Sequence, residues 1–242
     1  MEPKCSGVGL SVMRAALLLC LVSSLAEAKD RVSQARENQA EPLKKLFADA
    51  GLSYPPQELY LRVFKEERQL EVWSGPKGRA LVLIERYPIC AASGELGPKR
   101  EEGDLQVPEG FYEVGRYNST SSYHLSLEVT YPNASDRALG TKGKLGGLIY
   151  LHGDCVSIGC IAITDPPSEQ VYLMALDAKV RRIPIHIFPK RLDEAGMKSL
   201  QGNANLDFWK QLQPGFFAFE QTRRPPSVKI DPKSGAYTVS TR

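Results

Sequence analysis

Nine consecutive residues hold the densest reactive chemistry in this chain: His152-Gly153-Asp154-Cys155-Val156-Ser157-Ile158-Gly159-Cys160. A free thiol is only a few per cent ionised at neutral pH, so it needs a base before it can attack. A neighbouring imidazole takes the thiol proton and stabilises the thiolate as an ion pair. Seven residues separate His152 from Cys160. If the apolar run Leu148–Leu151 is a strand, His152 stands at its C-terminal end. The chain then reverses through Gly153-Asp154 and returns with Ile158-Gly159-Cys160, which brings imidazole and thiol together. Gly159 admits close approach or a positive φ, and this would turn the amides of Gly159 and Cys160 toward a developing oxyanion. The carbonyl of Gly153 can accept from the imidazole as a triad's third member does, and Ser157 offers a further hydrogen bond. These are the parts of covalent acyl transfer.

The same residues fit two other arrangements. Cys155 and Cys160 can close a local disulfide, with His152 a structural hydrogen-bonding group. Alternatively His152, Cys155 and Cys160 can ligate zinc, which needs a fourth ligand or a water, and no C-x2-C pair accompanies them. His124 and His186 fall in strand-like segments and read as surface or packing residues.

The elements that must position the nine residues are mostly strands. Leu59–Phe64, Gln69–Trp73, Ala80–Tyr87, Phe111–Arg116, Leu125–Thr130, Leu148–Leu151 and Ile183–Phe188 are rich in aliphatic and aromatic residues and are divided by turn-forming clusters. Leu43, Leu46, Phe47 and Ala50 predict a lead-in helix over about Ala40–Ala50, with Gly51 as its stop. Helices are also predicted from Pro167 to about Lys179, over Asp193–Leu200 and over Leu206–Leu212. Ser93–Gly110 reads as a loop. The expected fold class is mostly β with helical N- and C-terminal flanks: a helical lead-in over 29–57, a β-rich domain over 58–190, a helical extension over 191–220, and a polar, Pro-bearing tail over 221–242 that its composition predicts to be disordered.

The first 28 residues read as address rather than structure. Lys4 and Arg14 supply a basic start, Ala15–Val22 a short apolar core, and Ala26-Glu27-Ala28 an A-x-A cleavage site. Leu19 before Cys20 is too bulky for lipid-anchor processing. A periplasmic location is expected, with no transmembrane span in the mature chain. Cleavage would remove Cys5 and Cys20 and leave Cys90, Cys155 and Cys160 in an oxidising compartment. Three is odd, so one thiol stays free or pairs between chains, and Cys160 is the natural free one. A formal net charge of +3, without basic runs interleaved with aromatics, argues against nucleic acid as a partner.

His152-Gly153 followed by Ser157-x-Gly159-Cys160 resembles the active-site signature of the YkuD-type L,D-transpeptidases, and more closely that of their YafK-like subgroup. Tyr87-Pro88-Ile89-Cys90, Gly97-Pro98-Lys99, Gly103-Asp104, Pro108–Tyr112, Tyr131-Pro132-Asn133 with Asp136-Arg137, and Phe208–Gly215 carry the resemblance across about 40–220. It implies a β-rich catalytic domain acting on peptidoglycan stem peptides at diaminopimelate through a thioester, with no cofactor and no metal. By position, Cys160 matches the nucleophile, His152 the base, Gly153 the residue whose carbonyl orients it, Gly159-Cys160 the oxyanion turn, and Ser157 the motif serine. Lys99, Arg137, Lys142 and Lys144 are candidates for meeting stem-peptide carboxylates, with solvated loop charge as the other reading, and Tyr131 and Asp136 are candidates either for binding substrate or for forming the loop. With Cys160 assigned, Cys90 and Cys155 remain to form a bracing disulfide.

Two departures separate this chain from the broad family. Ile158 stands where a histidine is usual, and the base-to-nucleophile spacing is short. Both suit the YafK-like subgroup, whose members include hydrolases that cut the amide joining the outer-membrane lipoprotein to diaminopimelate. The expected activity is therefore hydrolysis of that amide. Amine transfer, as in an L,D-transpeptidase forming cross-links or lipoprotein attachments, is the alternative. A non-catalytic wall-binding module is the reading from another class.

Overall fold

A computed structural model describes residues 30–178 and 180–241, so the leader expectation over 1–28 lies outside the described residues. Eight strands form one sheet: β1 (Glu58–Phe64), β2 (Gln69–Gly75), β3 (Val82–Pro88), β4 (Gly110–Asn118), β5 (Ser126–Val129), β6 (Tyr150–His152), β7 (Ile161–Ala162) and β8 (Pro184–Phe188). Their order is β3-β2-β1-β8-β4-β5-β6-β7. The β1–β8 and β6–β7 pairs are parallel and the others antiparallel. Beyond β7, an isolated bridge joins Ala162 to Ala91, just past the end of β3, so the two edges of the sheet meet.

Alternation along β1 explains how both faces are buried. Leu59, Leu61 and Val63 enter the main core, which is completed by Ala35, Leu43 and Phe47 of α1 (Arg31–Asp49) and Val171–Ala175 of α3 (Asp165–Asp177). Phe64, on the other face, joins Phe111, Phe188, Trp209 and Phe216 in a second core under α5 (Leu206–Thr222). Each fully buried Leu or Phe of this kind stabilises the fold by roughly 1.5–3 kcal/mol. Arg62, between them, is fully buried and held by Glu71 at 2.7 Å and Glu220 at 2.7 Å.

Several elements depart from expectation. α1 begins at Arg31 rather than Ala40, because Asp30 caps it and Ala35, Gln39, Leu43 and Phe47 form one buried stripe through Pro42. α5 runs through Pro214 to Thr222, since the lack of a side chain at Gly215 lets the Phe111 ring pack against the helix and Phe216, Ala218 and Phe219 prolong its apolar face. A short helix, α2 (Ala134–Leu139), stands where no helix or strand was expected. The tail expected to be disordered is instead a hairpin, β9 (Ser227–Ile230) and β10 (Tyr237–Ser240). Its turn is fixed by the Asp231 carboxylate accepting from the amides of Lys233 and Ser234, and Val228, Tyr237 and Val239 pack on the second core. A further short helix, α4 (Glu194–Ser199), precedes α5. Among the described residues no helix is long and apolar enough to cross a membrane.

Candidate active site

β6 ends on His152 and β7 begins immediately after Cys160, so one short crossover carries the whole motif between two parallel neighbours. His152 and Cys160 line the same cavity of about 720 Å³. Its walls come from the loop before β4 (Lys99, Glu102, Leu105), the segment before β5 (Thr120–Tyr123), the approach to β6 (Gly146–Tyr150) and the crossover itself (Val156–Ile158). The first and third walls are joined by the backbone, Thr141 donating to Arg100 at 2.8 Å and Glu102 to Lys144 at 2.6 Å.

The His152 imidazole makes the contact with the Gly153 carbonyl that the sequence suggested. His152 Nδ1 lies 2.5 Å from the Gly153 carbonyl. A carbonyl only accepts, so Nδ1 carries the proton and Nε2 is left with a free lone pair. A Cβ at Gly153 would lie 2.5 Å from an Asp165 carboxylate oxygen and 2.9 Å from His124 Cβ, so only glycine fits this corner. Asp165 also accepts from the Asp154 amide at 2.8 Å, which fixes Asp154 at φ +60°. Burial pushes the His152 pKa below its usual 6.5, against the raising effects of the Gly153 carbonyl and Asp154. The imidazole is therefore neutral at pH 7 and able to accept a proton.

Cys160 is the free cysteine among the described residues. Burial raises its pKa, opposed by the Tyr150 amide and the Lys99 charge. Both shifts favour the uncharged forms, a thiol and an imidazole that share one cavity, over an ion pair. The thiol faces the Leu148 carbonyl at 3.9 Å, and Leu148 holds φ +58°, a region that branched residues rarely occupy. Ser157 locks the turn: its hydroxyl donates to the Cys160 carbonyl at 2.7 Å and accepts from the Gly159 amide at 3.2 Å. That contact corrects one expectation. The Gly159 amide is bound to Ser157 and does not point freely at an oxyanion. The Tyr150 amide, which sequence reasoning missed, is a backbone dipole that favours the thiolate. The pairing of β5 with β6 places it, and only the register could have disclosed it.

Cys90 and Cys155 are joined by a disulfide with Cα atoms 5.6 Å apart. Cys155 lies inside the crossover, and Cys90 donates its amide to Ala162 at 3.0 Å, so the bond ties the motif to the meeting edges of the sheet. This arrangement excludes the local Cys155–Cys160 disulfide. It also takes Cys155 out of the zinc set, and no cluster of three metal-ligating side chains exists among the described residues.

Of the six substrate-binding candidates, Lys99 alone is found among the described residues lining the cavity. Its ammonium is already engaged by Asp104 at 2.6 Å and the Glu101 carbonyl at 2.8 Å. Tyr131, Asp136 and Arg137 are framework. The Tyr131 hydroxyl donates to Leu145, Asp136 is the buried partner of Asn133 and Tyr112, and Arg137 donates to the Pro132 carbonyl. Of the two other histidines, His186 is buried in β8 against Tyr60 at 2.7 Å. His124 lies before β5 rather than within a strand, at φ +61°.

The family model of the YkuD L,D-transpeptidase catalytic domain matches residues 58–187. The chain is 41% identical over 204 residues to the Escherichia coli K12 protein named "Putative L,D-transpeptidase YafK", covering 82% of this chain and 79% of that one. Among solved structures, the helical cell shape determining protein Pgp2 of Campylobacter jejuni is 19% identical with a TM-score of 0.47, over 78% of this chain and 80% of that one. Bd1075 of Bdellovibrio bacteriovorus is 26% identical with a TM-score of 0.40, over 56% and 49%.

Proposed function

The chain belongs to the L,D-transpeptidase catalytic domain family, and from that premise we propose that it is an exported cysteine enzyme that hydrolyses an amide at diaminopimelate in peptidoglycan, the bond to an outer-membrane lipoprotein being the preferred target. The observation that carries the reading is the cavity shared by a free thiol and a neutral imidazole whose Nδ1–H is bound by the Gly153 carbonyl. In the first step Cys160 Sγ attacks the carbonyl carbon while His152 Nε2 takes the thiol proton. The C–N bond then breaks, His152 returns that proton to the departing amine, and a thioester remains on Cys160. Water attacks the thioester with His152 again as base, releasing a carboxylic acid and restoring the thiol. A well-placed donor at the oxyanion contributes about 3–4 kcal/mol to each tetrahedral state.

Two features support water over an amine as acceptor. Ile158 stands at the mouth, 79% exposed, where the broader family resemblance expects a histidine. Leu105, Leu148 and Val156 are further exposed apolar side chains lining the same cavity, so its exposed rim beside Ile158 is largely apolar. The test is incubation with muropeptides carrying a lipoprotein C-terminal peptide on diaminopimelate, and with free tetrapeptide muropeptides, followed by mass spectrometry. Release of the lipoprotein peptide is expected, together with a transient adduct on Cys160. Diaminopimelate–diaminopimelate dimers would instead name an amine acceptor. Turnover that persists in Cys160→Ala would remove the reading altogether, and binding to sacculi without any adduct would favour a wall-binding module.

A further inference from the structure

The segment before β5 forms one wall of the cavity, and the Tyr123 ring in it lies over the His152 imidazole, centroids 5.1 Å apart and planes inclined at 36°. Two sets of contacts hold this segment from outside the sheet. Arg31, the first residue of α1, donates to the backbone carbonyls of both Ser121 and His124. His124, in the left-handed region at φ +61°, pairs through Nε2 with Glu169 of α3 at 3.2 Å, and Gln39 of α1 donates to the same carboxylate at 2.8 Å. α1 lies outside the residues 58–187 spanned by the family model.

The Gly153 carbonyl fixes one atom of the imidazole. That bond restrains the rotation about Cβ–Cγ at one end only, the torsion being broad and soft, and it covers neither face of the ring. A second ring laid over one face fixes the plane and keeps water off it. We propose that α1, acting through Arg31 and the segment it clamps, makes Tyr123 a positioning residue that sets the plane and hydration of the His152 imidazole. The proposal rests on the reading of His152 as the general base.

The groups facing His152 from neighbouring elements are Asp154 next in the chain, Asp165 and His124 beyond Gly153, and Cys160, Tyr150 and Lys99 across the cavity. Replacing Tyr123 leaves every one of these charges in place. It changes how much water reaches the ring. Since burial holds the imidazole below its usual pKa, exposing it moves that pKa upward. Activity requires the neutral ring, so it falls as pH drops through this pKa, and the acid limb then moves to higher pH.

The experiment measures kcat, KM and their pH profiles on the diaminopimelate substrate, with the His152 imidazole titrated by NMR without substrate, for Tyr123→Ala, Tyr123→Phe and Arg31→Ala in the full chain. Tyr123→Ala is expected to lower kcat about tenfold with KM little changed, as a misaligned base should. The acid limb and the imidazole midpoint should rise together toward 6.5. Tyr123→Phe should restore both, and Arg31→Ala should shift both the same way by a smaller amount. An unmoved His152 titration in Tyr123→Ala would overturn the proposal. So would a Tyr123→Phe enzyme as impaired as Tyr123→Ala, because the hydroxyl and not the ring would then be acting. The imidazole titration needs neither substrate nor nucleophile, so it separates failure of this inference from failure of the Cys160 reading.

Discussion

Gly153 shows how closely the reacting groups depend on a position with no side chain. Its carbonyl fixes the tautomer of His152, and the space where a Cβ would stand is taken by Asp165 and His124. Gly153→Ala must therefore push the β6 end away from α3 or turn the carbonyl off Nδ1. A displacement of about 1 Å in a catalytic group costs on the order of 10² in rate, and crowding of this kind destabilises a fold by roughly 1–3 kcal/mol. We expect kcat to fall about a hundredfold while Tm drops by only a few degrees, measured by steady-state kinetics beside a thermal melt. At this scale the sequence was largely readable. The order of His before Cys with Ser157 between them pointed to side chains that the fold does bring to one cavity. It misassigned the Gly159 amide, because a serine hydroxyl two residues away competes for the same donor and spacing does not reveal which acceptor wins.

Among the elements, α2 carries the clearest lesson. Asn133 and Asp136 form a reciprocal capping box, the Asn133 side chain accepting from the Asp136 amide and the Asp136 carboxylate from the Asn133 amide. The pattern was legible, but a six-residue helix has too few turns to show apolar periodicity, so the segment read as loop with substrate-binding charges. The same limit concealed β7, which is only two residues long, and the β9–β10 hairpin, whose short alternation was masked by Pro, Lys and Ser in the turn. The long strands β1 to β4 were visible because seven or more residues with aliphatic and aromatic side chains outweigh local noise. Burial raises the Asp136 pKa to about 6, opposed by the Asn133 amide, the Tyr112 hydroxyl, Arg100 and Arg137. A folded pKa above the unfolded value of 3.8 means that this group favours the folded state most below pH 4, and that the contribution is lost as pH rises through 6. The difference amounts to about 3 kcal/mol. Asp136→Asn should remove that decline, and urea unfolding at a series of pH values from 4 to 7 should show the wild-type and variant curves converging at the acid end.

For the molecule as a whole, the Cys90–Cys155 bond spans 65 residues and crosses from the β3 edge to the crossover that leads to Cys160. Closing a loop of that length removes about 4 kcal/mol of unfolded-state entropy in the chain-entropy account. A Cys90→Ser/Cys155→Ser protein should melt several degrees lower than wild type and lose activity several-fold, because the crossover is tethered at one point fewer. Calorimetry and single-turnover kinetics on the same sample would check both, and an unchanged rate would confine the bond to stability. The meeting of the sheet's edges at Ala91 and Ala162 has a consequence of its own. β7 is too short to hold itself, and it is flanked by β6 on one side and by the end of the first hairpin set on the other. The geometry around Cys160 is therefore not set by its own turn alone. It depends also on sheet closure, in which residues 71 positions apart in the chain become neighbours, so a chain with an open seam would keep His152 and Cys160 in its sequence without holding them in one cavity.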